Sequence, residues 1–331
     1  MAVRVVVPAL RFAPHFDPTE GLSLPGLTLW MGRGSRREST GMHPEEWLLN
    51  EFSASGVAEL TARQANLPTE DGRVWLKADP IHARVDRDRA LVLDVSSAGI
   101  DQQEADALVA SLNQHFSQDG MEFYAPSPAS WFVALNAPPA MSTVPLYRAL
   151  GQDMQAHLPS GPDGLKWHGI LNEIQMLLYT HPVNDQRAAM GRPLLNSLWI
   201  WGEGRGEAAQ SPAEMIAGNS ILIQALSAAA ASTCQTVPEA LQRLSDDMLL
   251  YCDTLATAAR SGDIYAWRDA LVLLDRDVLV PLYSAWKQGQ VPALTLILPD
   301  MAGVLTFELT ASARWKFWRG PAATSLLAAG S

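Results

Sequence analysis

His181, Asn184 and Arg187 fall within one short polar stretch, His181-Pro182-Val183-Asn184-Asp185-Gln186-Arg187, set between two apolar segments. Asn184 and Arg187 are spaced for one helical turn. An amide and a guanidinium on one face suit a carboxylate or phosphate ligand, and they equally suit fastening a chain corner to a neighbouring loop. His181 brings an imidazole for acid–base work, while its place before a proline at a helix end also fits a capping role. A second group is Gly32-Arg33-Gly34-Ser35-Arg36-Arg37, in which Arg33, Arg36 and Arg37 join backbone amides able to form a phosphate-cradling nest, or else a solvated basic loop. A third, Arg314-Trp315-Lys316-Phe317-Trp318-Arg319, has the residue types that stack on bases or dock a partner, and also those of a terminal element packed on a core.

The elements that must position these groups are legible from periodicity. Ile170, Leu171, Ile174, Leu177 and Leu178 have one-face helical spacing, so residues 167–180 read as a helix that His181-Pro182 interrupts. Gly191-Arg192-Pro193 marks a turn, and Asn-Ser-Leu-Trp-Ile-Trp-Gly reads as a strand ending at Gly202. Upstream, residues 3–8 form a β-branched run suited to a buried central strand, 11–26 read as loop, and Pro44-Glu45-Glu46 opens a helix. Residues 67–72 are a turn cluster. Residues 74–95 read as two strands with a polar tip at 86–89, and 97–114 as a helix capped by Asp101 with Glu104 at capping-box spacing. Residues 121–124 and 131–135 give two more strands. Downstream come a helix start at Thr236, a strand at 248–252, a long helix over 264–287 kinked by Pro281, and strands at 293–298 and 304–309. Alternating strands and helices predict an α/β fold with a mainly parallel sheet covered by helices, interrupted by an inserted α+β domain. The expected divisions are 1–70, 71–162 and 163–331.

The 331 residues are 48% hydrophobic and 18% charged, enough for two domains or one with a large insertion. A net charge of −11 argues against nucleic acid and anionic membrane surfaces as partners. No apolar run approaches the roughly 18 residues of a membrane span, no signal-peptide pattern opens the chain, and two cysteines suit a reducing compartment. A cytoplasmic location is expected.

The corner also carries a resemblance. His181-Pro182-Val183-Asn184 with Arg187, Gly191, Asn196 and Trp199-Ile200-Trp201-Gly202-Glu203-Gly204 resembles a segment of the archaeal-type, cofactor-independent phosphoglycerate mutases of the alkaline phosphatase superfamily. Collinear, patchier likenesses run from Lys77 to Arg84, from Ser97 to Ile100, and from Pro145 to Gly161. The bacterial RpfE-type regulatory proteins are similar as a divergent branch. The resemblance implies an alkaline phosphatase-like core with an inserted cap, two divalent metals held by aspartates and histidines, and a serine that takes up the phosphoryl group. Gly34-Ser35 followed by Pro44-Glu45-Glu46-Trp47 resembles the segment bearing that serine, which points to Ser35.

The seven histidines, His15, His43, His82, His115, His157, His168 and His181, all lie at or before position 181. The resemblance draws metal-binding histidines from the later part of the core. There, Asp300-Met301 stands where an Asp-His pair is implied, and Ala256 to Asp263 has Arg260 in place of the histidine. Asp300, Asp263 and Asp253 remain as oxygen ligands. The expectation is therefore a non-catalytic regulatory or binding protein on a degenerate mutase-like scaffold, without cofactor, whose partner is a phosphorylated small molecule or a protein. The alternatives are a metal-dependent phosphomutase or phosphatase with a rearranged site, using Mn or Mg, and a phosphorylated-metabolite sensor.

Overall fold

The computed structural model describes residues 2–11, 17–87, 89–95, 98–315 and 318–324. The chain forms two compact units: Met1–Ala54 with Ala208–Ser331, and the inserted Ser55–Glu207. Among the described residues, no helix is long and apolar enough to cross a membrane.

The first unit is built on a seven-stranded sheet. Its strands lie in the order Ser35–Ser39, Val304–Leu309, Leu294–Leu298, Val3–Val6, Met248–Tyr251, Met215–Gly218 and Cys234–Gln235. From Leu294–Leu298 onward all pairings are parallel, whereas the first two strands run antiparallel. The β-branched run at the start of the chain takes the centre, with Val5 opposite both Leu250 and Leu296, because only a strand covered on both faces can bury such a run. Trp30, Trp267 and Trp286 are fully buried in the core around it.

The expected long helix is instead two helices, Ile264–Leu274 and Val280–Lys287, joined by a π-helical turn at Asp275–Leu279. Pro281 has no amide hydrogen to give the carbonyl four residues back, and the chain accommodates that loss as a wider turn rather than a simple kink. The turn places the buried Asp275 against the start of the Pro25–Arg33 helix, part of which was expected as loop. Leu24, at the N-cap there, has no capping side chain. The Asp275 carboxylate accepts from the amides of Leu27 at 2.6 Å and Gly26 at 3.1 Å in its stead. Burial pushes this carboxyl above 3.8, while the two amides pull it back. Gly26 is needed for the approach, since a Cβ there would lie 2.9 Å from Asp275 Oδ1.

The inserted unit has a five-stranded antiparallel sheet with Val74–Asp86 in its middle. That strand pairs with Arg89–Asp94, Ser130–Leu135 and Ser197–Trp201, and Met121–Ser127 pairs with Ser130–Leu135. One sheet face, with Leu76, Ala78 and Trp131, packs on Leu108 and Leu112 of the Gln102–Phe116 helix and on Trp167, Ile170 and Ile174 of the Gly164–Tyr179 helix. The other face, with Trp75, Phe132 and Ala134, packs on Ala58 and Ala62 of the Val57–Gln64 helix. The Asp101–Glu104 capping box forms as the spacing predicts. Residue 88 at the hairpin tip and Ser97 lie outside the described residues.

These contacts correct the expected divisions at 71 and 162. The 163–204 segment, read as returning to the main sheet, belongs to the inserted unit because Ser197–Trp201 completes its sheet in register with Lys77 to Ile81. The chain leaves and re-enters each unit at a single place. The Gln210 amide donates to Phe52 O at 2.8 Å within the first unit, and Gly56, at φ 67°, packs directly on Arg205 within the second.

Candidate functional site at the carboxyl end of the parallel sheet

Ligands of open α/β sheets sit beyond the carboxyl ends of the strands. Here those ends lead into residues 7–11, Asn219-Ser220, Cys252-Asp253 and 299–303. The buried Arg11 guanidinium donates to Gly303 O at 2.6 Å, and the Met42 amide donates to Asp300 O at 2.9 Å, which brings His43 and Glu45 to the same end. His43 Nδ1 accepts from the Glu45 amide at 3.3 Å and caps the Pro44–Glu51 helix. Burial raises the Asp253 carboxyl above 3.8 against the opposing pull of Arg260. Tyr251 is pushed well above 10.0 by burial, with Glu45 and Asp253 adding to the rise. The fully buried Cys252 thiol is pushed up to about 12, which makes it inert as a nucleophile. Glu45, Tyr251 and Arg11 were not singled out from the sequence; their signal is position, directly after apolar runs that end at this edge or in the segment tied to it.

Among the described residues, no three His, Cys, Asp or Glu side chains gather to hold a metal. Asp300 Oδ1 accepts the Ala302 amide at 2.8 Å in its own loop, and Asp263 Oδ1 accepts the Ala266 amide at 3.0 Å as a helix N-cap. Asp253 has a cation, Arg260, in its electrostatic surroundings. His15 lies outside the described residues.

Ser35 is not at this edge. Strand Ser35–Ser39 runs antiparallel to Val304–Leu309 with Ser35 opposite Glu308 and Ser39 opposite Val304, so Ser35 is at the far end from the 299–303 loop. A five-residue strand spans about 17 Å, and Ser35 therefore cannot converge with Asp300 or Asp253 on one ligand. Of the two readings of the Gly32 to Arg37 run, the nest does not form at Gly34. Gly34 has φ −68° and ψ 153°, an extended conformation that leads straight into the strand, whereas a nest needs alternating helical hands. Arg36 pairs with Glu38 at 3.1 Å and Arg37 with Glu308 at 3.5 Å. Arg33 lies 6.0 Å from the centroid of the Tyr283 ring, Tyr283 lies 5.5 Å from Trp286, and Arg314 lies 5.7 Å from the centroid of the Trp286 ring. The two basic runs thus meet on one aromatic ladder. Trp315 and Trp318 remain exposed, and 316–317 lie outside the described residues.

The polar corner turns out to be structural. His181 caps the Pro182–Ala189 helix, with Nδ1 accepting the Val183 amide at 3.2 Å. That bond assigns the proton of the neutral ring to Nε2, which lies 3.0 Å from Ser111 Oγ and donates to it. Asn184 is buried; its Nδ2 donates to Leu178 O and Leu195 O, and its Oδ1 accepts the Leu195 amide at 2.8 Å. Arg187 is 0% exposed. It donates to Glu104 Oε2 at 2.7 Å, Pro193 O at 2.8 Å and Ala98 O at 3.0 Å, which uses all three guanidinium nitrogens inside the protein. The reading in which His181, Asn184 and Arg187 receive a ligand gives way to the one in which they fasten the corner.

Burial lowers the His181 pKa below 6.5, against a smaller opposing effect of Asp185. The unfolded chain then takes up the proton first, so this contribution to stability is full above 6.5 and is lost as pH falls through the folded-state value. His181→Asn keeps a good N-cap without the titration. The expected outcome in denaturation from pH 8 to pH 5, a range chosen to bracket the ordinary imidazole pKa of about 6.5, is a shallower pH slope for that variant than for wild type.

Residues 52–184 match the family model of 2,3-bisphosphoglycerate-independent phosphoglycerate mutase. The mutase of that description from Methanosarcina mazei is 26% identical over 136 residues, 40% of this chain and 34% of that one. The one from Methanothrix thermoacetophila is 27% identical over 179 residues, 47% of this chain and 46% of that one. A solved structure of a Pyrococcus horikoshii protein aligns with a TM-score of 0.56 at 14% identity, over 93% of this chain and 87% of that one, a likeness of fold. Together these matches make the chain similar to the cofactor-independent phosphoglycerate mutases, chiefly through its inserted unit, and it spans from about a third to just under half the length of the curated relatives named here.

Proposed function

We propose that the chain is a divergent member of the cofactor-independent phosphoglycerate mutase family, within the alkaline phosphatase superfamily and near the RpfE-type branch, that acts as a regulatory or binding protein rather than as a mutase. In this reading the seven-stranded unit is the phosphatase-like core and the inserted unit its cap. The observation that carries it is the carboxyl end of the parallel sheet, where Arg260 acts on Asp253 and the Asp300 carboxylate is turned into its own loop. The ligand or partner is a phosphorylated small molecule or a protein, met in the cytoplasm, a location that two free cysteines favour.

Elemental analysis of the purified protein, together with conversion of 3-phosphoglycerate in the presence of added manganese, tests the reading. The expected result is substoichiometric metal and no turnover. Stoichiometric metal with turnover overturns it and restores the metal-dependent phosphomutase reading. A thermal shift with 3-phosphoglycerate that occurs without turnover, and disappears in Arg260→Ala, favours a phosphorylated-metabolite sensor.

A further inference from the structure

The Gly164–Tyr179 helix buries Trp167, Ile170, Leu171, Ile174 and Leu178. Its opposite face carries Leu165, Gly169, Asn172, Met176 and Tyr179, all exposed, with Leu165 at 84%, Met176 at 65% and Tyr179 at 69%. Their alternating spacing of four and three residues is that of a coiled-coil seam. At about 100° per residue the five positions fall within about 80° of arc, centred opposite the buried face. A solvated helix ordinarily carries its charged residues there.

Gly169 is a second observation, independent of the first. It lies inside the helix, where glycine is a poor choice, and a Cβ at that position would meet nothing within 4 Å. No packing inside the chain requires the glycine, whereas close approach of another helix from outside would.

The seam is also self-complementary. Leu165 and Tyr179 each lie seven residues from Asn172, while Gly169 lies three before it and Met176 four after it. We infer that this face is the contact of a symmetric antiparallel dimer formed with a second copy of the chain. Leu165 packs on Tyr179 of the other copy, Met176 fills the notch at Gly169, and the two Asn172 amides meet on the dyad, where one polar seam residue fixes register.

Charge follows the same arrangement. Lys166, beside Leu165, comes next to the carboxyl-terminal turn of the second helix, where the helix dipole is negative. Glu173, which would meet its own copy near the dyad, is drawn aside to His115 at 3.3 Å. The helix is about 24 Å long, and a two-helix seam of that length falls near or below the ~1,200 Å² of the smallest stable interfaces. The dimer is accordingly reversible and concentration-dependent. It is independent of whether the sheet edge of the first unit catalyses or binds.

Sedimentation velocity of the full chain from about 1 to about 100 µM, the range for an interface of this size, tests the inference. A dimer should form with rising concentration, and Met176→Glu, a charge in the seam, should weaken it by more than about tenfold. Gly169→Leu, which fills the notch, should weaken it too while circular dichroism shows the helix intact. Asn172→Cys should cross-link through its own copy under mild oxidation. A wild-type chain that stays monomeric over that range, or a dimer unchanged by Met176→Glu, overturns the proposal.

Discussion

Arg187→Ala is expected to destabilise the inserted unit by about 3–5 kcal/mol, the usual loss when one partner of a buried ion pair is removed. The substitution removes a guanidinium that is itself fully buried, and leaves the half-buried Glu104 without its cation and the carbonyls of Pro193 and Ala98 without their donor. Three separate parts of the unit then come loose together: the start of the Gln102–Phe116 helix, the chain before it at Ala98, and the turn after Ala189. Arg187→Lys retains the charge but supplies one nitrogen where three are used, so it should recover only part of the loss. The midpoint of urea unfolding measures both variants. A ligand-binding role would give the opposite pattern, with stability unchanged and an anion-induced thermal shift abolished.

Asp275→Ala is expected to cost about 2–4 kcal/mol, because two buried amides at the start of the Pro25–Arg33 helix lose the carboxylate that accepts from them. Asp275→Asn keeps one carbonyl oxygen and should recover part of that. The comparison separates the capping bonds from the volume of the side chain, since Asn has nearly the size and shape of Asp and leaves the packing around the π turn in place, whereas Ala removes both. Urea unfolding of the full chain, read by the fluorescence of Trp30 and Trp267 in that core, gives the measurement.

Local structure was largely written in the sequence. Val3, Val5 and Val6 announced a central strand, the Asp101–Glu104 spacing announced a capped helix, and His181-Pro182 announced a break. Long-range pairing was not. Ser197–Trp201 reads as well into a parallel sheet as into an antiparallel one, and nothing local reveals that its partner is Lys77 to Ile81, more than a hundred residues earlier. The division of the chain was misplaced for that reason. The candidate site was misread for two others. Polar density at the corner signals hydrogen bonding without saying whether the partner is a ligand or the chain itself, and burial decided that for Arg187. A Gly-Arg-Gly-Ser run is compatible with both a nest and a strand, and the dihedral angles of Gly34 alone choose between them.

The single hydrogen bond from Gln210 to Phe52 has a consequence for how the protein is assembled and how it can change. A chain that departs and returns at one point makes the interruption invisible to the sheet it interrupts: the strands that close around Val3–Val6 need span no greater gap with residues 55–207 present than without them. The entropic cost of closing a loop grows only with the logarithm of its length, and here an ordered unit with its own adjoining ends at Gly56 and Arg205 replaces the loop. The insertion is thus a cassette. It can gain or lose residues, or acquire the seam of a dimer, while the register of the seven strands stays fixed.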